Sequence, residues 1–284
     1  MSGKLFFTAL LIGFALRTIP VSSQVSGTHP LYSWKSQYDP ETILVNRIPV
    51  PSGFQRKPPA QNSFAYWLNN IPLKKGNPDI LLYNGQKKNN QRAQHAVLDI
   101  DVGNKDLQQC ADAVIRLRAE YLFATHQYDK IKFAFTNGFL CDYQKWAQGF
   151  RPKIEGNVVS WVKSAQPDTG YASFRKYLNT VFMYSGTQSL SQELRKKNVA
   201  DISPGDVFIQ GGFPGHAVIV MDVAVHPTRN EKLFLLAQSY MPAQDIHVLK
   251  NPSDSHLSPW FASILSGNLE TPEWTFEWSD LKGF

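Results

Sequence analysis

The second half of the chain is dominated by short runs in which apolar and polar residues alternate with the period of a β-strand. The runs read as strands are residues 206–210, 216–225 and 232–240, with 245–250 as a candidate fourth strand. The Pro-Gly-Asp sequence at 204–206 predicts a turn before the first run, and the polar residues 226–231 predict a turn between the second and third. Consecutive strands joined by short turns predict an antiparallel sheet.

The first half shows apolar residues at the three- and four-residue steps of amphipathic helices. The most regular stripe follows Asn104 and Asp106, either of which is a candidate N-cap, and consists of Leu107, Cys110, Ala111, Val114, Leu117 and Tyr121. This spacing places Cys110 in the first turn of the helix. Other predicted elements are helices over 63–73, 171–186 and 189–198, with Ser63 as a cap and Gly186 as a stop, and a strand over 95–103. Helices followed by an antiparallel sheet predict an α+β domain.

Three segments are predicted along the chain. Residues 1–23 combine Lys4, a short apolar run and small residues near the end, which is the pattern of a secretory signal peptide. Residues 24–60, rich in Pro, Ser and Gly, predict an extended N-terminal arm, and residues 61–284 predict a single α+β domain whose aromatic tail wraps the core. No run of 18 apolar residues follows the signal peptide, so we expect a periplasmic or secreted protein with no transmembrane span in the mature chain.

Composition and charge narrow the classes of function. The chain is 43% hydrophobic with a formal net charge of +6, of which Lys4 and Arg17 would leave with the signal peptide. The basic residues are scattered rather than interleaved with aromatic residues, so nucleic acid is not an expected partner. The histidines lack the spacing of a ligand set, so neither a metal site nor a cofactor is predicted.

Three polar side chains form the candidate site. Strand alternation places His216 on one face with Val218, Val220 and Asp222. A turn centred near residues 227–228 brings Gln238 opposite His216 or within two residues of it, where its carbonyl can hold one ring nitrogen. Cys110 at the positive end of a helix is favoured as a thiolate. In this hypothesis Cys110 attacks a carbonyl, His216 accepts the thiol proton, and Gln238 orients the imidazole.

The sequence shows two resemblances, of which the first carries no activity and the second supports this interpretation. At the whole-chain level, "DLQQCADAVIRLRAEYL", "PGHAVIVMDVA" and "TPEW" are similar to a family of exported bacterial proteins described as a domain of unknown function. At the level of the fold, a cysteine at a helix start, a Pro-Gly-Asp turn, a histidine opening the next strand and a polar residue on the following strand resemble the NlpC-type and CHAP-type cysteine peptidases and amidases of the papain-like superfamily.

The second resemblance implies a papain-like core with helices packed on an antiparallel β-sheet. It also implies Cys110 as nucleophile, His216 as base and Gln238 as orienting residue, with peptide or amide bonds of peptidoglycan as the usual substrates. Two of the departures of this chain from the family pattern lie at the candidate site. Gln109 precedes the cysteine where the family commonly has Asp, and Gln238 stands where the family commonly has His, Asn or Glu.

The expected function is therefore an exported cysteine hydrolase with a peptide or peptidoglycan-like substrate. The alternative is a catalytically inactive exported binding or assembly protein on the same fold, with Cys110 packed in the core or bridged to Cys141. A sugar-binding surface built on Trp146 and Trp161 is a third possibility. The sequence leaves the oligomeric state open.

Overall fold

The computed structural model describes residues 1, 3, 31–263 and 266–284. The predicted signal peptide, residues 1–23, lies outside the described residues apart from positions 1 and 3. Within the described part of the chain, none of the helices has the length and apolar character needed to cross a membrane.

The described residues form fifteen strands and six α-helices. The strands are β1 Gln55–Arg56, β2 Gln94–Val97, β3 Lys132–Ala134, β4 Leu140–Asp142, β5 Phe150–Glu155, β6 Val158–Lys163, β7 Arg195–Lys196, β8 Val207–Gln210, β9 His216–Val225, β10 Lys232–Gln238, β11 His247–Leu249, β12 Phe261–Ala262, β13 Leu269–Glu270, β14 Thr275–Phe276 and β15 Leu281–Gly283. The α-helices are α1 Leu44–Arg47, α2 Phe64–Asn69, α3 Cys110–Ala124, α4 Tyr143–Ala147, α5 Tyr171–Tyr184 and α6 Thr187–Glu193. Short 3₁₀ helices cover Pro40–Thr42, Tyr128–Lys130, Val199–Asp201 and Trp278–Asp280.

Nine of the described strands form one antiparallel sheet. Its order is β2-β11-β10-β9-β8-β15-β7, with β1 paired to β9 and β12 paired to β10. The pairs β3–β4, β5–β6 and β13–β14 are separate hairpins. Helices and a large antiparallel sheet in one chain confirm the predicted α+β class. Strand β9 has the bounds that the sequence pattern predicts, whereas the predicted strand over 95–103 ends at Val97 in the structure.

Helix α3 begins later than the apolar stripe suggests. Its N-cap is Gln109, and the side chain of Asp112 accepts a hydrogen bond from the Gln109 backbone N–H at 3.1 Å. The predicted cap residue Asp106 instead accepts from the backbone N–H of Ala243 at 2.6 Å. The carboxylate of Asp106 is therefore used to tie the loop before α3 to the loop after β10, and Cys110 becomes the first helical residue.

Two other boundaries differ from the predictions. Gly186 does not end α5 but caps the start of α6, whose Ser189 hydroxyl accepts from the Gly186 backbone N–H at 3.1 Å. The predicted helix over 189–198 is replaced at its end by a strand, since Arg195 and Lys196 form β7. The predicted cap of α2 is confirmed, since Ser63 Oγ accepts from the backbone N–H of Tyr66 at 3.1 Å.

The sheet separates two apolar cores. On one face, Ala217 and Ile219 of β9 belong to the larger core, which includes residues of α2, α3 and α5. On the other face, Val218 and Val220 pack with residues of the C-terminal segment, including Phe276. The tail therefore wraps the core, as the sequence predicts, and forms the cover of the second sheet face.

Residues 31–60, the described part of the predicted extended N-terminal arm over 24–60, pack against the domain. Tyr32 and Leu44 are fully buried, and β1 pairs with the end of β9 through Gln55 and Val225. The apolar residues of this segment are spaced without a regular period, so the sequence pattern gave no sign of their burial. Burial of these side chains removes apolar surface from water and fixes the segment to the domain.

A β-bulge sets the register between β9 and β10. Leu235 pairs with Asp222 and Leu236 pairs with Val220, so Met221 is the extra residue on β9. The shift moves Asp222 off the face that it was predicted to share with His216. Beyond the bulge, Ala237 pairs with Ile219. The next residue of β10, Gln238, therefore lies on the same face as His216.

Candidate active site

Cys110 and His216 line the same surface cleft, which has a volume of about 490 Å³. The walls come from the start of α3, the end of α5, the start of α6, the loop between β8 and β9, and the residues after β10. Three exposed apolar side chains, Met183, Phe213 and Met241, stand at the wall. A cleft with an apolar rim and a thiol and an imidazole in its wall has the composition of a binding site for an organic substrate.

The imidazole of His216 is held by Gln238, as the sequence predicts. Nε2 of His216 lies 2.8 Å from Oε1 of Gln238, and both residues are 1% exposed. An amide oxygen only accepts hydrogen bonds, so the proton of the neutral ring is on Nε2. Nδ1 therefore carries the lone pair and is the basic nitrogen of the neutral ring.

A network behind Gln238 fixes the orientation of its amide. Nε2 of Gln238 donates to Oε2 of Glu273 at 2.7 Å and approaches Nε2 of His247 at 3.3 Å. Nδ1 of His247 lies 2.9 Å from the carbonyl oxygen of Asp245, which assigns the His247 proton to Nδ1 and leaves Nε2 to accept from Gln238. The amide oxygen and the amide nitrogen of Gln238 both have matching partners, so the amide cannot flip without losing hydrogen bonds.

Glu273 is the charged end of this network. Lys88 forms a salt bridge with its Oε2, and Nδ2 of Asn90 donates to its Oε1 at 3.0 Å. Burial raises the pKa of the Glu273 carboxyl, but the hydrogen bond and charge of Lys88 outweigh burial, so the pKa is lowered overall. A carboxylate one hydrogen bond behind Gln238 can stabilise a positive charge when it develops on His216.

Burial keeps both histidines of the network neutral at pH 7. Desolvation lowers the pKa of His216 to about 4, although the hydrogen bond to Gln238 opposes the shift. Desolvation, assisted by the charge of Lys88, lowers the pKa of His247 to about 4. A neutral imidazole is the form that can act as a general base.

The thiol of Cys110 does not meet the expectation of a thiolate at neutral pH. Burial raises the pKa of Cys110 to about 11, and the neighbouring charge of Asp112 adds to the shift. Hydrogen bonds from the backbone amides of Ala111, Cys110 and Ala217 lower the pKa, but by less than burial raises it. In the resting protein the pair is therefore a neutral thiol and a neutral imidazole, because desolvation outweighs the field of the helix terminus.

Cys110 and His216 approach the cleft from different sides of the sheet. Cys110 comes from α3 on the face that carries Ala217, and the amide of Ala217 reaches its sulfur. The His216 ring lies on the opposite face, with its centroid 5.4 Å from that of Trp274 and 4.9 Å from that of Tyr240. Among the described residues no hydrogen bond joins the Cys110 sulfur to the His216 ring, so the two groups share a cleft without being paired at rest.

Two glycines shape the loops on either side of β8. Gly205, in the predicted Pro-Gly-Asp turn, has a φ of +96°, and an added Cβ would lie 2.7 Å from the Phe64 ring. A Cβ on Gly215, next to His216, would lie 2.5 Å from the Gly212 carbonyl oxygen. Both positions therefore require glycine, and both control how β9 enters the sheet and places His216.

Sequence reasoning missed several residues of the site. Glu273 and Trp274 lie in the tail, in the quoted "TPEW" stretch, about thirty-five residues after Gln238, and no periodic pattern marks them. Lys88 lies in the loop between α2 and β2. Tyr240 was available as a signal, because strand alternation places it two residues beyond Gln238 and therefore at the cleft.

The structure also bears on the proposed disulfide, the proposed sugar-binding surface and the metal ligands. Cys110 and Cys141 are both free, so the disulfide considered between them is not formed. Cys141 is fully buried in β4, and Trp146 is 5% exposed with the guanidinium of Arg151 over its ring, which leaves Trp146 little surface for a sugar. Within the described residues, no group of three or more potential metal ligands is clustered.

Comparison with known protein families gives a match over most of the chain. The family described as "Domain of unknown function (4846)" matches residues 44–283. No curated protein and no solved structure matches the chain.

Proposed function

The chain belongs to the family of the domain of unknown function (4846), and from the geometry of its cleft we propose that it is an exported cysteine hydrolase with a papain-like core. Its substrates would be peptides or peptidoglycan-like molecules with peptide or amide bonds. The observation that carries the proposal is the buried hydrogen bond between His216 and Gln238, which leaves the lone pair of Nδ1 for a base in the same cleft as Cys110.

The first chemical step is attack of the thiol on the substrate carbonyl carbon. The Cys110 sulfur forms a bond to carbon as its proton passes to Nδ1 of His216. The positive charge that develops on the ring is stabilised by Gln238 directly and by Glu273 through the amide of Gln238. The backbone amides of Cys110 and Ala111 at the start of α3 are the candidate donors for the negative oxygen of the tetrahedral intermediate.

The remaining steps regenerate the resting pair. The C–N bond breaks as His216 returns the proton to the leaving amine, and a thioester on Cys110 remains. Water then attacks the thioester, with His216 as the base, and releases a carboxylic acid and the free thiol. This sequence starts and ends with a neutral thiol and a neutral imidazole, which is the state favoured by burial of both groups.

The test is acylation and turnover of the purified protein. An activated acyl ester and a set of peptides and muropeptides are incubated with the protein, and intact-mass spectrometry follows a thioester on Cys110 and the release of new amines. We expect the thioester and turnover to be lost in Cys110→Ala, acylation to fall at least about a hundredfold in His216→Asn, and both to persist in Cys141→Ala. Turnover that survives Cys110→Ala would refute the proposal.

The alternative of an inactive binding protein has two observations in its favour. The thiol with a pKa of about 11 and the missing hydrogen bond to His216 describe a pair that is not poised at rest. The same experiment separates the two functions. Muropeptides that bind to the wild-type protein but are recovered intact, with no thioester on Cys110, favour the binding protein.

A further inference from the structure

A second, smaller pocket adjoins the cleft on the far side of Leu107 and Phe182. Its volume is about 130 Å³, and Leu107 and Phe182 line both cavities. The lining comes mainly from the loop after β2, which contributes Gly103, Lys105 and Gln108, and from α5, which contributes Arg175. None of the described residues that line this pocket is acidic.

Two buried nitrogens at this pocket have no hydrogen-bond partner. Nε2 of Gln108 is one of them, and Gln108 is 1% exposed. The orientation of the amide is fixed, because its Oε1 accepts from Nη1 of Arg116 at 2.9 Å and a guanidinium can only donate. The second is Nη1 of Arg175. Leaving buried donors unpaired costs free energy, so both atoms call for an acceptor.

The charges around the pocket also favour an acceptor that is negative. Arg116 is neutralised by Glu120 at 2.7 Å. Arg175 has a weaker partner, since its Nη2 lies 3.3 Å from Asp101, whose side chain is 58% exposed and also contacts Arg116. Together with Lys105, Arg175 gives the pocket an excess of positive charge.

We propose that this pocket binds a small oxyanion, a carboxylate or a phosphate-type group, through Nη1 of Arg175 and Nε2 of Gln108. The two donors match the oxygens of such a group, and Arg is the side chain best suited to it. Gly103, with a φ of +82°, brings the loop close to Arg175, where an added Cβ would lie 3.6 Å from Nη2. The volume admits a carboxylate or phosphate but not a nucleotide or a peptide.

The oxyanion has two possible sources. The shared wall of Leu107 and Phe182 places the site beside the cleft, so the group can be a carboxylate of the substrate. This version rests on the proposed hydrolase function. The other source is a free inorganic anion, and this version is independent of any chemistry at Cys110.

The experiment is calorimetric titration of the full chain with phosphate and with acetate, at pH 7 and constant ionic strength so that general screening does not vary. Two variants remove the site. Arg175→Gln removes the charge, and Gln108→Glu keeps the acceptor for Arg116 while placing a negative oxygen where Nε2 lies. Arg195→Gln, an exposed arginine on β7, is the matched control. Thermal unfolding establishes that each variant is folded, and Arg175→Lys is a second variant that keeps the charge.

We expect saturable binding of at least one anion to the wild-type protein and to Cys110→Ala, unchanged affinity in Arg195→Gln, and at least about tenfold weaker binding in Arg175→Gln and Gln108→Glu. The proposed anion site would be overturned if the wild-type protein showed no saturable binding, or if Gln108→Glu bound the anion as tightly as the wild-type protein. The pocket would then hold only water. Because binding is measured in Cys110→Ala as well, failure of the hydrolase proposal does not affect this result.

A second arm identifies the source of the oxyanion. N-acetylglycine and N-acetylglycinamide are compared for protection of Cys110 from iodoacetamide. Protection by the acid alone supports a substrate carboxylate in the site. Binding of phosphate without protection by either compound supports a free inorganic anion.

Discussion

The reactivity of Cys110 tests whether burial or the helix terminus controls the thiol. The perturbation is pH, varied from 6 to 11 during alkylation by iodoacetamide. At pH 7 an ordinary thiol with a pKa of about 8.5 is about 3% thiolate, whereas a pKa of about 11 leaves about 0.01%. The thiolate population of Cys110 is therefore about 300-fold smaller than that of an ordinary thiol.

The higher nucleophilicity of the Cys110 thiolate offsets part of its smaller population. A thiolate gains reactivity as its pKa rises, and the dependence known for thiol–disulfide exchange recovers about tenfold over this shift. We therefore expect Cys110 to react about thirtyfold more slowly than glutathione at pH 7, with a rate that rises about tenfold per pH unit toward pH 11.

The assay is intact-mass spectrometry of the protein at timed intervals. Cys141 is an internal control, because it is fully buried and outside the cleft, and burial raises its pKa strongly. It should stay unmodified while Cys110 is alkylated. A rate at pH 7 equal to or above that of glutathione, with a plateau from pH 6, would refute the reasoning and show that His216 and Cys110 form an ion pair at rest.

Three further outcomes follow from the same contacts. Asp112→Asn, which keeps an acceptor for the helix cap but removes a negative charge, should shift the alkylation profile of Cys110 to lower pH. Gln238→Leu should lower the free energy of unfolding in urea by about 1–3 kcal/mol, because it leaves its buried partners unpaired. The pKa values of His216 and His247 are depressed to about 4 in the folded protein, so stability is full above about pH 6.5 and is lost progressively as pH falls from about 6.5 to about 4, by up to about 3 kcal/mol for each histidine. Urea unfolding at pH 7 and pH 4 measures this loss, which should be smaller in His247→Asn; equal stability at both pH values would contradict the burial argument.

The parts of the fold that the sequence predicts are those with a regular period. Strand β9 and helices α3 and α5 have long apolar runs at the spacing of their element, and the structure confirms each of them. The described part of the arm escaped this reasoning because the burial of Tyr32 and Leu44 depends on contacts with distant residues. The three short hairpins also lack runs long enough to detect.

The candidate site likewise contains residues that the sequence pattern predicts and residues that only the folded structure reveals. The hydrogen bond between His216 and Gln238 follows from strand alternation and a short turn, so it was accessible from the sequence. Glu273 arrives from the tail, far along the chain, and only the folded structure brings it to Gln238. The protonation state of Cys110 was also inaccessible, because it depends on how deeply the folded chain buries the sulfur.

The bulge at Met221 means that the pairing of His216 and Gln238 is encoded inside the strands. If Met221 instead took a regular position in the ladder, it would pair with Leu236, and Gln238 would lie opposite Ile219, which faces the core that contains α3. Deleting Met221 should therefore remove the bulge but keep Leu236 paired with Val220 and Ala237 with Ile219, so the hydrogen bond between His216 and Gln238 should survive. The connecting residues 226–231 are mostly exposed, so they offer a place to insert an epitope or a fluorophore without moving either side chain.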